Sequence, residues 1–395
     1  MERQVIITEC MGRPLTALFE DGKAAELHFG APYGKSACRV GEIYVGKVQN
    51  ILPNIHGAFI EIGGGIQCYY SLEEKVPPLF TRKIGKKPLC IGDELLVQVE
   101  KEAVKTKQPV VTGNLNFSGK YVVLTSGNQK IGVSAKIPKA RREELKVLGG
   151  RYQDAGFGLI FRTNAKDAPE DRIVQEIEKL AAQFGQVKEY GAMRTCFSCV
   201  YQTAGPCMQA LRNVYREGLT EIVADATAQG GALFRETEEF LRQEQPEDLP
   251  LLRAYTDAYP LVKCYNLESV VKDARSERVW MKSGAYLVIQ PTEALTVIDV
   301  NSGKCLKKSG KFAAINREAA AEAARQIRLR NLSGIILIDF INLEAEEEKK
   351  ELLGYMQHEL NRDSNPGLVV DMTRLQLVEI TRKKIRKTLE ESLHE

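Results

Sequence analysis

Two uninterrupted apolar runs near the C-terminal end, Ala294-Leu-Thr-Val-Ile-Asp-Val300 and Gly334-Ile-Ile-Leu-Ile-Asp-Phe340, each carry an aspartate at their far end. Runs of this length without alternation predict strands buried on both faces. Between them, from about Lys311 to Arg330, Phe312, Ile315, Ala319, Ala323 and Ile327 recur at helical spacing, which leaves Arg317, Arg325 and Arg328 to face outward. Strand, helix and strand form one compact unit with both aspartates, Asp299 and Asp339, at corresponding ends. A single aspartate at a strand end commonly caps the segment that follows. A pair is different, because two ionised carboxylates held together repel unless a cation lies between them. Oxygen-only ligation suits Mg²⁺, which keeps several waters and prefers a phosphate partner. The pattern points to metal-assisted phosphoryl chemistry.

Upstream the periodicity shortens. Residues 1 to about 36 alternate in strand-like pieces, Gln4-Val-Ile-Ile-Thr8 and Leu15-Thr-Ala-Leu-Phe19, with turns at Asp21-Gly22 and Gly30. They are too few to fold alone and are expected to pack on a later part of the chain. Between Val40 and Thr112 lie five short β-rich runs, at Ile43 to Val48, Gly57 to Ile62, Gln67 to Tyr70, Leu95 to Val99 and Val110 to Val111. Five short strands in about 70 residues predict a small closed barrel. Farther on, a helix is expected from Pro169 to Phe184, capped by Asp167. The strand Gly158 to Arg162 feeds the polar turn Thr163-Asn164-Ala165, where an arginine beside a hydroxyl and turn amides makes a phosphate clasp. Two helical stretches, Met208 to Glu217 and Gly230 to Arg242, flank a strand at Glu221 to Val223, and Glu244-Gln-Pro-Glu-Asp-Leu-Pro250 reads as a loop. An acidic helix is expected from Glu344 to Leu360, and Thr381 to Lys387 reads as a basic helix end.

A chain of 395 residues exceeds one ordinary core. With 44% hydrophobic and 27% charged residues it has the composition of a soluble globular protein. No stretch approaches the ~18 apolar residues of a membrane span and the N-terminus has no secretory h-region, so a cytoplasmic location with no membrane partner is expected. Nine cysteines without a framework predict reduced thiols. Cys196 and Cys199 form a single CxxC without the further ligands of a zinc site.

A net charge of +3 does not announce a nucleic-acid binder, but its distribution is uneven. From Thr81 to Leu145, bases that include Arg82, Lys83, Lys101, Lys105, Lys107, Lys120 and Lys136 outnumber acids. Phe59, Tyr69 and Tyr70 sit in the neighbouring strands, so bases of a nucleic acid could stack on rings while lysines track its phosphates.

Together these blocks resemble the catalytic region of the ribonuclease E/G family. The resemblance is carried by Ile43-Tyr-Val-Gly-Lys-Val48, Gly57-Ala-Phe-Ile-Glu-Ile-Gly63, Gly158-Leu-Ile-Phe-Arg-Thr163 and Thr296-Val-Ile-Asp-Val-Asn-Ser-Gly-Lys304. It continues through Ala324 to Asn342 and Leu377-Val-Glu-Ile-Thr-Arg-Lys-Lys384. It implies an α+β / α/β multidomain fold: an RNase H-like domain from residues 1–36 with 205–275, an S1 (OB-fold) RNA-binding barrel at 37–115 and a 5′-sensor region at 116–204. A DNase I-like catalytic domain at 276–395 completes it. It also implies a Mg²⁺-dependent endoribonuclease acting on single-stranded RNA in RNA processing and decay. In that scheme Asp299 and Asp339 hold Mg²⁺ and Asn301 orients Asp299. Arg162 and Thr163 bind a 5′-monophosphate, while Phe59, Tyr69 and Lys107 contact bases near the scissile bond.

The sequence departs from the family pattern in three places. The family's CPxC zinc-link and small dimerisation domain have no counterpart up to Glu395, so a homodimer would need another interface. Acidic residues expected after Asn301 are replaced by Cys305-Leu-Lys-Lys-Ser-Gly-Lys311, and Asp363-Ser-Asn-Pro366 lacks the expected basic residues. The alternative reading is an S1-type RNA-binding or regulatory protein with a vestigial nuclease site.

Overall fold

The computed structural model describes residues 1–30, 38–103, 107–228, 230–303 and 312–394. Lys105, Lys304 and the segment Cys305 to Lys311 lie outside them. Four sheets organise the described residues.

In the first sheet the N-terminal strands Arg3–Cys10, Arg13–Glu20 and Lys23–Phe29 form an antiparallel meander. The strand Arg3–Cys10 pairs in parallel with Leu219–Asp225, more than 200 residues later, which in turn pairs with Leu252–Tyr255. Val5, Ile7, Met208, Leu211 and Leu241 close the core on one side, and Ile6, Leu15, Val223, Leu261 and Val271 close it on the other.

Inserted between the two halves of this sheet is a closed five-strand barrel. Ile43–Leu52 pairs with Gly57–Glu61, then Gln67–Ser71, Val110–Thr112 and Glu94–Lys101 follow, and Glu94–Lys101 returns to Ile43–Leu52. Closure leaves no free edge within these five strands. Val48, Ile60, Tyr70, Leu95 and Val97 fill its interior. A four-stranded sheet built around Val122–Thr125 and Gly158–Phe161 follows, packed against a helix spanning Glu170–Met193.

The C-terminal sheet has the strand order Arg278–Trp280, Tyr286–Pro291, Leu295–Asn301, Gly334–Asp339, Leu377–Arg382, Leu368–Met372. Its two central strands are parallel and its other pairs antiparallel. The helices Phe312–Leu329 and Glu346–Leu360 pack on one face, where Ile298, Ile336, Ile338, Ala319, Ala323, Ile327 and Met356 share one core.

Several local expectations need correction. The two apolar runs are buried on one face only: Ile298, Ile336 and Ile338 are fully covered, whereas Ile335 is 53% exposed. Both runs are apolar at nearly every position, so the usual inside-outside alternation is hidden in the sequence. Arg328 does not face outward but is buried against Glu20. The helix expected to end at Phe184 runs to Met193, and Pro169, not Asp167, occupies its N-cap. Thr381 to Lys387 is not a helix end, since Thr381 and Arg382 finish the strand Leu377–Arg382 and residues 383–387 are in neither helix nor strand, and Pro246–Leu251 is a short 3₁₀ helix. Lys120 is no part of a solvated basic face, since it is buried in an ion pair with Asp248 and another, at 2.9 Å, with Glu247.

Candidate active site

Asp299 and Asp339 are direct register partners across the two parallel strands. Side chains alternate along a strand, so residues 299 and 339 leave the sheet on the face opposite Ile298 and Ile338. Both aspartates are exposed on that helix-free face. Neighbouring strands lie about 4.8 Å apart, a separation at which two carboxylates can share one small cation.

The third residue of the cluster is set by the same alternation. Asn301, two positions beyond Asp299, shares its face, and its amide Nδ2 donates to Asp299 Oδ2 at 2.6 Å. The chain then turns at Gly303, where φ is +57° and a Cβ would lie 2.4 Å from the Gly284 carbonyl oxygen. Only glycine combines that backbone conformation with so close an approach.

The end of the other strand is pinned from below. Asn316, fully buried on the helix Phe312–Leu329, donates through Nδ2 to the Ile341 carbonyl at 2.7 Å and accepts from the Ile341 N–H at 3.1 Å. This fixes the chain two residues past Asp339. Asn316 falls on the apolar stripe of that helix, so a polar residue on a core face was the available signal for its role.

The donor set, two exposed carboxylates of which one is held by an amide, is of the oxygen-only kind that would fit a hard cation. Among the described residues no group of three or more His, Cys, Asp or Glu side chains could hold a metal, which leaves Cys196 and Cys199 without further ligands of these types. The described cysteines are free thiols.

On the barrel, Phe59 and Tyr69 are cross-strand partners with ring centroids 6.4 Å apart, edge to face. Both are partly exposed, whereas the adjacent Tyr70 is 3% exposed and lies inside the barrel. Gly57 makes room for this pair, because a Cβ there would come within 2.3 Å of the Tyr69 ring. Lys107 is exposed and lies two residues before Pro109, whose carbonyl accepts from the Tyr69 N–H at 2.8 Å.

Arg162 and Thr163 line a cavity of about 190 Å³ together with Ser134, Asn164, Tyr215 and Ser364. Arg162 is held by two internal bonds, Nη1 to the Gly119 carbonyl at 2.6 Å and Nη2 to Asn213 Oδ1 at 2.6 Å. Burial pushes its guanidinium below the ordinary arginine range, and the Glu176 carboxylate opposes that effect. Glu176 in turn accepts from the backbone N–H groups of Lys120, Tyr121 and Val122 at 2.7 to 2.8 Å, which fixes the loop beside Arg162. Thr163 Oγ1 lies 3.0 Å from Ser134 Oγ. Asn213, Tyr215 and Ser364 come from segments 50 or more residues away in the chain, and no local motif marks them. Ser364 brings to this cavity the Asp363-Ser-Asn-Pro366 segment that lacks the expected bases.

A family model described as "Ribonuclease E/G family" matches residues 116–385. The chain belongs to the ribonuclease E/G family. The matched segment contains Arg162, Thr163, Asp299, Asn301 and Asp339 and begins after Phe59, Tyr69 and Lys107. Similarity to named relatives reaches across nearly the whole chain. It is 31% identical over 391 residues to ribonuclease E of Nostoc sp., covering 97% of this chain and 56% of the relative. It is 31% identical over 394 residues to ribonuclease G of Haemophilus influenzae, covering 95% of this chain and 78% of the relative. Against ribonuclease G of Escherichia coli K12 the identity is 29% over 407 residues, covering 100% and 82%. The chain therefore spans a little over half the length of the ribonuclease E relative and about four fifths of the ribonuclease G relatives. Among the described residues, no helix is long and apolar enough to cross a membrane.

Proposed function

We propose that this protein is a Mg²⁺-dependent endoribonuclease that cleaves single-stranded RNA, favours a 5′-monophosphate and acts in cytoplasmic RNA processing and decay. Family membership supports the reaction class, and the observation that carries the reading to particular residues is the in-register Asp299–Asp339 pair with Asn301 donating to Asp299. A bound Mg²⁺ would supply Lewis acidity toward a phosphodiester and lower the pKa of water.

The residues themselves do the rest. Asp299 and Asp339 offer oxygen ligands from one rigid pair of strands, and Asn301 holds Asp299 in a fixed rotamer, so the carboxylates are positioned before substrate arrives. The open face leaves room for an extended strand of RNA to lie across them. Phe59 and Tyr69 supply ring surfaces on which unpaired bases stack and Lys107 is a further contact to those bases, which favours single strands and reads sequence loosely. Arg162, with Thr163 and the cavity around them, suits a terminal phosphate monoester. The products expected are a 3′-hydroxyl and a 5′-phosphate. In this proposal the sheet joining Arg3–Phe29 to Leu219–Tyr255 is the RNase H-like part, the barrel is an S1 domain and the C-terminal unit is DNase I-like.

The test is incubation of the purified chain with a 5′-monophosphorylated unstructured RNA, with and without Mg²⁺, beside Asp299→Asn. Cleavage that requires Mg²⁺ and disappears in the variant supports the assignment. Cleavage that survives the substitution, or never appears, overturns it.

A further inference from the structure

The open face that carries the two aspartates continues past them to the sheet edge, and its register can be followed strand by strand. Asp299 is opposite Val288, which is opposite Arg278. One row along, Asn301 is opposite Tyr286, which is opposite Trp280. Partners in an antiparallel pair point to the same side, so Arg278, Trp280 and Tyr286 share the face of Asp299, Asn301 and Asp339. Two strand spacings separate Trp280 from Asn301, roughly 10 Å.

These three side chains form a cluster. The rings of Trp280 and Tyr286 lie 4.9 Å apart at 51°. The Arg278 guanidinium carbon sits 4.7 Å from the Tyr286 ring centre and 5.9 Å from that of Trp280. Trp280 is 63% exposed, a large share for an indole on a sheet rather than at a loop tip. Arg278 is exposed too, and among the described residues no carboxylate pairs with it. A cation packed against two touching aromatic rings, with no carboxylate paired to it among the described residues and on the face of Asp299 and Asp339, is the chemistry that takes a base on its ring faces and a phosphate on its guanidinium.

We propose that Trp280, Tyr286 and Arg278 form a second nucleotide platform, on the catalytic sheet itself, which stacks a base of single-stranded RNA flanking the phosphate held at Asp299 and Asp339. The inference rests on the nuclease reading above. In it the barrel rings and this platform grip the strand separately, and Arg278 takes a phosphate next to the stacked base. The platform selects for an unpaired base, since a paired one presents no free face.

Trp280 is the single tryptophan of the chain, so emission excited selectively at tryptophan, clear of tyrosine absorption, reports on the platform alone. The experiment titrates Asp299→Asn, in the presence of Mg²⁺, with a dye-labelled unstructured RNA, and follows dye anisotropy and tryptophan emission in parallel. Saturable quenching with the same midpoint as the anisotropy change is expected. Trp280→Ala should weaken binding by about 5- to 100-fold, and Trp280→Phe, which keeps a ring, should recover most of that loss. Binding seen by anisotropy with unchanged emission overturns the platform and leaves the nuclease reading standing. No binding at all overturns both. Quenching that follows protein concentration without RNA assigns the face to a second copy of the chain and also overturns the proposal.

Discussion

Asp299 and Asp339 sit opposite each other in the register of two parallel strands. Their shared face therefore follows from backbone hydrogen bonding rather than from the rotamers of two loops. Two asparagines support the pair among the described residues: Asn301 donates to Asp299, and Asn316 pins the chain two residues past Asp339.

Asn301→Ala removes the 2.6 Å bond to Asp299 while leaving both carboxylates. Loss of such a brace on a metal ligand typically costs about 10- to 100-fold in metal affinity or activity. Cleavage should fall by that factor, with half-saturation shifted to higher Mg²⁺. A Mg²⁺ titration of the rate checks this, and an unchanged Mg²⁺ requirement would assign Asn301 a purely structural role.

Gly57→Ala tests the barrel rings without deleting either. The new methyl group would meet the Tyr69 ring at 2.3 Å and force it away from Phe59. If those rings stack bases, RNA affinity should drop toward that of Tyr69→Ala, about 1–3 kcal/mol per lost stack. Circular dichroism would verify that the barrel stays folded while anisotropy reads the binding.

Arg162→Ala should narrow the difference in cleavage rate between 5′-monophosphorylated and 5′-hydroxyl RNA by about tenfold, the scale of one charge-assisted hydrogen bond. Rates on the 5′-hydroxyl substrate should hardly move. An unchanged ratio removes the phosphate role from the cavity that Arg162 shares with Ser134, Tyr215 and Ser364.

Glu20 links the first sheet to the C-terminal unit. It accepts from Arg3 at 3.1 Å, Arg328 at 2.5 Å and Arg362 at 2.8 Å, and is 6% exposed. Burial pushes its carboxyl up, but Arg328 above all, with Arg3 and Arg362, outweighs burial and holds it below the ordinary 4.5. A depressed carboxyl contributes stability that is present above the unfolded value and lost as pH falls through the folded one. Glu20→Gln should cost about 3–5 kcal/mol near neutrality by stranding buried guanidinium groups. It should also flatten the loss of stability below pH 4.5. Denaturant melts between neutral and acid pH check both effects.

The barrel was legible in the sequence because short runs broken by Gly, Pro and Asn leave few other arrangements for five strands. Spacing singled out Tyr69 rather than Tyr70, and the register of the barrel strands turns Tyr70 inward. Arg162 and Thr163 stood out at the end of an apolar run. Their surroundings did not, because Asn213, Tyr215 and Ser364 reach them only through packing between distant segments.

The sequence by itself determined that two strands carry aspartates near their C-terminal ends, that a helix connects them, and that Asn301 lies two residues from Asp299. These are properties of local order and of the period of a strand. Which face the aspartates share with solvent was decided by the tertiary structure alone. A run that is apolar at almost every position carries no signal of which side its helices will cover. Both helices packed on the face of Ile298 and Ile338, so the carboxylates, Arg278, Trp280 and Tyr286 were all left on the other.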